Sequence, residues 1–138
     1  MKKKLIATSF IAGGLFIFIM IFGFKAIESN DPWPVPDNYK NMKNPVANND
    51  ETLKTAKSLW STHCKSCHGT KGLGDGPKAA QLKTESGDFS KASVQSQSDG
   101  ALLYKTTEGR EDMPSFKKKI SDADDRWALV HYMRTFKK

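Results

Sequence analysis

The residues of this chain best suited to chemistry lie in one short run, CKSCH, at positions 64–68. Two thiols three positions apart lie on one side of a helical turn, where both can add across the two vinyl groups of a single haem. The adjacent histidine would then lie under the iron and supply an imidazole nitrogen as its proximal ligand. The run therefore predicts covalent haem attachment through Cys64 and Cys67, with His68 on the iron.

Zinc binding and a disulfide are the alternatives for the same cysteines. A tetrahedral zinc shell needs four ligands around the ion, and the four candidates between residues 63 and 68 are too close in sequence to surround it. A disulfide stays open, because Cys64 and Cys67 are the only cysteines and an exported chain meets an oxidising compartment. Redox C-x-x-C pairs, however, normally occur in a βαβ setting, which this sequence does not indicate.

The positive charge of the chain is concentrated at its N-terminus. The formal net charge is +7, from 22 Lys and Arg against 15 Asp and Glu in 138 residues. Residues 1–27 contain four lysines and no acid, so the other 111 residues carry 18 bases and 15 acids, a net charge of +3. A nucleic-acid-binding surface needs basic residues clustered on one face. The mixed charges beyond residue 27 argue against that class of partner.

Residues 5–24 form an uncharged apolar run. A helix of that length spans about 30 Å, the thickness of the hydrocarbon core of a bilayer. A cleaved signal peptide is the alternative, but its apolar stretch is usually about 7–15 residues long and ends at small side chains rather than at Phe22 and Phe24. Residues 1–27 are therefore predicted to be a single-pass anchor in the cytoplasmic membrane. The lysines at positions 2–4 stay in the cytoplasm, which places the rest of the chain on the periplasmic, extracytoplasmic side.

Residues 28–50 contain four of the six prolines and little periodic hydrophobicity. Proline fixes φ and removes a backbone donor, so this stretch is predicted to be an extended, polyproline-like tether. Trp33 is expected either at the lipid interface or on the surface of the following domain, rather than in a binding role.

Residues 51–138 show apolar residues at helical intervals and no alternating β pattern. They are predicted to form an all-α domain of about four short helices, preceded by the transmembrane helix. The first expected helix is capped by Asp50 and has Leu53, Ala56, Leu59 and Trp60 on one face. A short helix over 78–83 and a loop over 84–97 follow. A helix from 98 or 99 to 108 that Gly109 stops is next, and Ser121 opens the last helix, with Asp124 in a capping box.

Residues 51–138 resemble the monohaem class I cytochromes c. Besides the CKSCH run, Ala56-x-x-x-Trp60-x-x-x-Cys64 is similar to the small-x-x-x-aromatic helix that leads into the haem motif of that family. Residues 132–134 are similar to its terminal Tyr-Leu-Arg, and residues 69–77 to its glycine-rich loop. The family usually has glycine where this chain has Ala56, which predicts a slightly wider crossing of the first and last helices. The resemblance implies the cytochrome c fold around one covalent haem c.

The resemblance also implies two further site residues. The carbonyl of a proline at the position of Pro77 accepts the second ring proton of the haem histidine, which fixes its tautomer. The axial methionine of the family lies in a loop such as residues 109–114, and Met113 occupies it here. A soft thioether suits low-spin iron and raises its potential relative to a second histidine. Metal ligation is therefore expected from His68 and Met113. The weaker rivals are Met42, Met133, His131 and His63.

The function that the resemblance implies is electron transfer by one haem c on the outer face of the cytoplasmic membrane, and not enzymatic catalysis. The sequence indicates no paired carboxylates, nucleophile-base pair or phosphate loop, so no small-molecule substrate is expected. The chain could be a mobile carrier or a fixed haem subunit of a respiratory chain, with a quinol-oxidising complex, a terminal oxidase or a dehydrogenase as redox partner. An exported haem sensor or a peroxidase-like enzyme is the alternative if Met113 is not a ligand.

Overall fold

The structure is a computed structural model, which describes residues 33–138. No strand occurs within this range, so the all-α prediction is confirmed. The predicted anchor, residues 1–27, lies outside the described residues, and none of the helices within 33–138 is long and apolar enough to cross a bilayer. In chain order the elements are α1 (Asp37–Lys40), α2 (Asp50–His63), α3 (Lys65–His68), a 3₁₀ turn (Ala79–Gln81), α4 (Ala92–Gln95), α5 (Asp99–Glu108) and α6 (Ala123–Arg134).

The packing of α2 against α6 forms the centre of the domain. The buried face of α2 consists of Ala56 and Trp60, one helical turn apart. The ring of Trp60 contacts the ring of Tyr132 on α6, with a centroid separation of 5.8 Å. Leu129 and Val130 of α6 are completely buried. The predicted contact between the first and last helices is therefore present.

Each long helix begins at a side chain that accepts a hydrogen bond from the first turn. Asn49, not Asp50, caps α2 by accepting from the backbone N–H of Thr52 at 2.9 Å. Ser98 caps α5 as expected. Asp122, not Ser121, caps α6 by accepting from the N–H of Asp124 at 2.9 Å. Both wrong caps are one residue away from the real one, because neighbouring side chains in each pair are equally suitable as N-caps.

The segments between the long helices differ in part from the prediction. The expected helix over 78–83 is only the 3₁₀ turn, and the expected loop over 84–97 contains the single turn α4. The end of α5 is as predicted, since Gly109 follows Glu108 with a φ of 68° that favours glycine.

Residues 33–46, here called the N-terminal strap, lie against the domain instead of extending away as the predicted tether would. Tyr39 contacts Tyr104 of α5 with ring centroids 5.0 Å apart. A side chain at Gly100 would overlap the backbone carbonyl of Tyr39, so glycine permits this close approach. The amide of Asn44 donates to the backbone carbonyl of Trp127 at 2.9 Å. These contacts give the proline-rich segment partners that an extended tether lacks.

Arg134 joins the end of α6 to the start of α5. Its guanidinium donates to one carboxylate oxygen of Asp99 at 2.9 and 2.6 Å, and to the backbone carbonyls of Gln95 and Gln97. A planar guanidinium with several donors suits this arrangement, in which three chain segments meet.

Substitution of Ala56 by Leu tests the α2–α6 packing. Ala56 has no exposed surface, so a larger side chain must separate the helices or leave its preferred rotamer. We expect the free energy of unfolding to fall by about 1–3 kcal/mol, measured by denaturant unfolding of the haem-containing protein. Lys57→Leu, at an exposed position of the same helix, should change it by no more than about 0.5 kcal/mol. Equal losses in both variants would contradict this account of the packing.

Candidate cofactor site

A cavity of about 550 Å³ opens beside Trp60 and the CKSCH turn. Its volume is in the range of small-molecule and cofactor sites. Residues from five helices and from the loops between them line the cavity. Among those lining residues are Trp33, Trp60, Cys64, Cys67, His68, Phe89, Leu102, Lys105, Arg110, Met113, Phe116 and Met133.

The CKSCH turn forms one wall of this cavity. The chain leaves α2 at His63, passes through Cys64 and continues as α3, which ends at His68. Both cysteines are free thiols that line the cavity. Burial, together with the nearby Cys67, raises the pKa of Cys64 to about 12, so this thiol is neutral at physiological pH. The two predicted attachment residues are therefore on the same wall.

His68 is held between aromatic rings at the edge of the cavity. Its ring centroid lies 5.7 Å from that of Trp60 and 5.1 Å from that of Phe89. Burial lowers its pKa, although the backbone of Ser86 works in the opposite direction. The imidazole is therefore neutral near pH 7, which is the form that binds a metal. Its Nδ1 atom is buried and has no hydrogen-bond partner among residues 33–138.

Pro77 does not line the cavity, and the hydrogen bond expected between its carbonyl and His68 is not formed in this structure. The loop that carries Pro77 is nevertheless fixed to the CKSCH turn by three backbone hydrogen bonds. The N–H groups of Gly74, Gly76 and Lys78 donate to the carbonyls of His68, Cys67 and Ser66 at 3.0, 3.1 and 2.8 Å. The role assigned to Pro77 stays a prediction.

Met113 lies on the loop between α5 and α6, packs against the core and lines the cavity. Its N–H and carbonyl form a two-bond bridge with the carbonyl and N–H of Arg110, at 2.9 and 2.8 Å. One carboxylate oxygen of Asp112 accepts from the backbone N–H groups of Lys83 and Thr84, at 2.7 and 3.3 Å. The loop is thus fixed internally and to the segment that follows the 3₁₀ turn.

The structure separates two of the four rival ligands from the cavity. Met42 lies on the strap with 39% of its surface exposed. Nε2 of His131 lies 2.8 Å from the backbone carbonyl of Val46, at the other end of the strap. Met133 and His63, in contrast, do line the cavity. Met113 and Met133 are therefore the two methionines that the described part of the chain brings to the site.

Trp33 and two cations form a part of the site that sequence reasoning missed. The guanidinium carbon of Arg110 lies 4.6 Å from the centroid of the Trp33 ring system, and Nζ of Lys105 lies 5.5 Å from it. All three residues line the cavity. The one signal in the sequence was an isolated tryptophan in a proline-rich stretch, and nothing in it indicated which surface the ring would contact.

The donor set of the cavity fits a covalently attached haem and does not fit zinc. Within residues 33–138 no three His, Cys, Asp or Glu side chains lie together as a metal site. Two thiols, a neutral imidazole with a buried unpartnered nitrogen, and a thioether instead surround one largely apolar space. Thiols can form thioether bonds to a porphyrin, and imidazole and thioether are ligands for haem iron.

Comparisons with known proteins agree with this assignment. Residues 51–133, which are 83 of the 138 residues, match the family described as cytochrome C oxidase, cbb3-type, subunit III. No curated protein matches the chain.

Two solved structures resemble the described fold. One belongs to the Kuenenia stuttgartiensis reducing HAO-like protein complex Kustc0457/Kustc0458, with a TM-score of 0.62 and 27% identity over 76% of this chain. The match covers 50% of that protein, so this chain spans half its length. The other is the KustC0563 c-type cytochrome, with a TM-score of 0.53 and 32% identity, covering 60% of this chain and 98% of that one.

The motif, the cavity and the matches over most of the domain therefore lead to one conclusion. The chain belongs to the cbb3-type cytochrome c oxidase subunit III family, and it is a class I c-type cytochrome that uses covalently bound haem c for electron transfer.

Proposed function

We propose that this chain is a membrane-tethered electron carrier whose single haem iron has His68 and Met113 as axial ligands. The observation that carries this proposal is the cavity, which His68 and Met113 both line from different elements. Cys64 and Cys67 would hold the haem by thioether bonds. Bound there, the group supplies an iron that cycles between the ferrous and ferric states.

The residues around the cavity give each ligand a defined role. Burial keeps the His68 imidazole neutral, so a lone pair is available for the metal. The rings of Trp60 and Phe89 fix the orientation of that imidazole and exclude water from its surroundings. The thioether of Met113 is a soft ligand that favours the ferrous state and therefore a higher potential than a second histidine would give.

The membrane location and the place in a respiratory chain belong to this proposal. The apolar run over residues 5–24 supports an anchor in the cytoplasmic membrane, with the haem domain on the periplasmic side. The family is named for an oxidase subunit, and one similar structure is part of a redox protein complex. Both support a redox protein as partner, such as a quinol-oxidising complex, a terminal oxidase or a dehydrogenase.

Replacement of both attachment cysteines by alanine tests the covalent haem. We expect Cys64→Ala with Cys67→Ala to abolish haem staining after denaturing electrophoresis and to reduce the helical content, because the domain is built around the cavity. Lys65→Ala, at an exposed position between the cysteines, should keep both the haem staining and the helical content of the unsubstituted protein. A double variant that stays fully helical and monomeric without haem would contradict the assignment.

Substitution of Met113 by alanine tests the axial ligand. We expect the haem to stay covalently attached, and the sulfur-to-iron charge-transfer band in the near infrared to disappear from the oxidised spectrum. The reduced protein should bind carbon monoxide readily, the potential should fall, and the free energy of unfolding should drop by about 1–3 kcal/mol.

Met133→Leu is the control, because it conserves volume at the other methionine of the cavity and costs less than about 1.5 kcal/mol. It should keep the charge-transfer band. The opposite pattern, with the band lost in Met133→Leu and kept in Met113→Ala, would identify Met133 as the ligand. Five-coordinate iron in the unsubstituted protein would favour an exported haem sensor or a peroxidase-like enzyme.

Extraction of the full chain from membranes tests its location and partners. We expect the haem to sediment with the membrane fraction, to resist high salt and to be released by mild detergent. Release by salt alone would contradict an anchor. Size analysis of the detergent extract then separates a carrier, which elutes at the mass of one chain in its micelle, from a fixed subunit, which elutes together with other redox proteins.

A further inference from the structure

The N-terminal strap brings one aromatic side chain to the mouth of the cavity. Trp33 lines the same cavity as the CKSCH turn, although it precedes the family match by 18 residues. Its neighbours there are two cations from different elements, Lys105 on α5 and Arg110 at the base of the Met113 loop. The strap therefore meets the haem site at the loop that carries the proposed axial ligand.

The geometry at Trp33 is that of a cation–π cluster. Arg110 and Lys105 lie 4.6 and 5.5 Å from the ring centroid, inside the separation of about 6 Å at which this attraction is significant. Tryptophan is the aromatic side chain that attracts cations best. Both cations thus lie within cation–π distance of one ring.

Arg110 connects this cluster directly to Met113. The two residues are paired by reciprocal backbone hydrogen bonds of 2.8 and 2.9 Å, so a displacement of Arg110 moves the backbone of Met113 with it. The carboxylate of Asp112 fixes the other side of the loop to Lys83 and Thr84. The loop thus contacts Lys83 and Thr84 through Asp112 and contacts Trp33 through Arg110.

The strap can hold Trp33 in place because the strap is itself bound to the domain at several points along its length. Tyr39 packs on Tyr104, Asn44 donates to the carbonyl of Trp127, and the carbonyl of Val46 lies 2.8 Å from Nε2 of His131. Tyr39 belongs to the short helix α1, which lies between Trp33 and the contacts of Asn44 and Val46. Trp33 is therefore attached to α5 and α6 through the strap.

We propose that Trp33 is a positioning residue for the axial-ligand loop, in which its ring binds Arg110 and keeps residues 109–114 closed over the cavity. This inference rests on the proposed ligation by Met113. Without the ring, the loop would open more often, and the iron would be accessible to small external ligands for a larger fraction of the time.

The test is the rate at which carbon monoxide binds to the reduced full-length protein. We expect Trp33→Leu to raise this rate about tenfold, which corresponds to a loss of about 1.4 kcal/mol from the closed state. Trp33→Phe keeps an aromatic face and should stay within about threefold of the unsubstituted protein. Met42→Ala, on the exposed side of the same strap, should leave the rate unchanged.

Substitution of Arg110, the cation nearer to the ring of Trp33, tests the same proposal independently. Arg110→Ala should raise the carbon monoxide rate to the same extent as Trp33→Leu, and Arg110→Lys, which keeps a cation, should raise it less. The double variant Trp33→Leu with Arg110→Ala should be no faster than Trp33→Leu alone, because both substitutions remove the contact between Trp33 and Arg110. If Trp33→Leu fails to fold, the carbon monoxide rates of Arg110→Ala and Arg110→Lys still test the proposal.

Two results would overturn the inference. One is a Trp33→Leu protein that loses unfolding free energy but keeps the unsubstituted carbon monoxide rate and near-infrared band, since that pattern indicates packing alone. The other is full additivity of the Trp33 and Arg110 effects. If the iron had no methionine ligand, the unsubstituted protein itself would lack the charge-transfer band. That result is distinguishable from a failure of the role proposed for Trp33.

Discussion

The indole of Trp60 is the contact on which the rest of this domain depends. Its side chain is 98% buried, and its ring contacts those of His68, Phe89, Tyr132 and Phe136, with centroids 5.0–5.8 Å apart. Its Nε1–H donates to the backbone carbonyl of Gly69 at 3.0 Å, so the one polar atom of the ring is satisfied in the interior. One side chain thus joins α2, the end of the haem-attachment turn and α6.

This arrangement explains why the attachment run is placed next to a cavity. Because α2 packs on α6 through Ala56 and Trp60, its C-terminal end at His63 is fixed, and the two cysteines follow immediately on the cavity wall. A domain of this size buries a thin core, and core residues such as Phe89, Leu102 and Phe116 also line the central cavity. The same side chains therefore form the core of the fold and the wall of the cofactor cavity.

The sequence predicted the local structure better than the long-range contacts. The ends of α5 followed from a cap and a stop signal, which are local properties. Helical spacing predicted the apolar face of α2, in which Ala56 and Trp60 are buried and Leu53 and Leu59 are only partly buried. The docking of the strap could not be predicted in this way. Its contacts join Asn44 to Trp127 and Val46 to His131, which are 83 and 85 residues apart, and proline-rich composition favours an extended chain whether or not a surface is available to bind it. Likewise, the resemblance pointed to Met113, which lines the cavity, but did not show that Met133 lines the same cavity.

The fixation of the Met113 loop has a consequence for electron transfer. A thioether is a neutral, weak ligand, so a flexible loop would have to lose conformational entropy whenever its sulfur binds iron, at about 1–2 kcal/mol for each ordered residue. Here the bridge between Arg110 and Met113 and the Asp112 hydrogen bonds are formed within the protein itself. Under the proposed ligation by Met113, these contacts reduce the number of residues that must become ordered when the sulfur binds. Transfer of an electron is easier at a site that keeps its shape when the iron gains or loses the electron. The backbone and carboxylate contacts of the Met113 loop contribute to such a fixed shape.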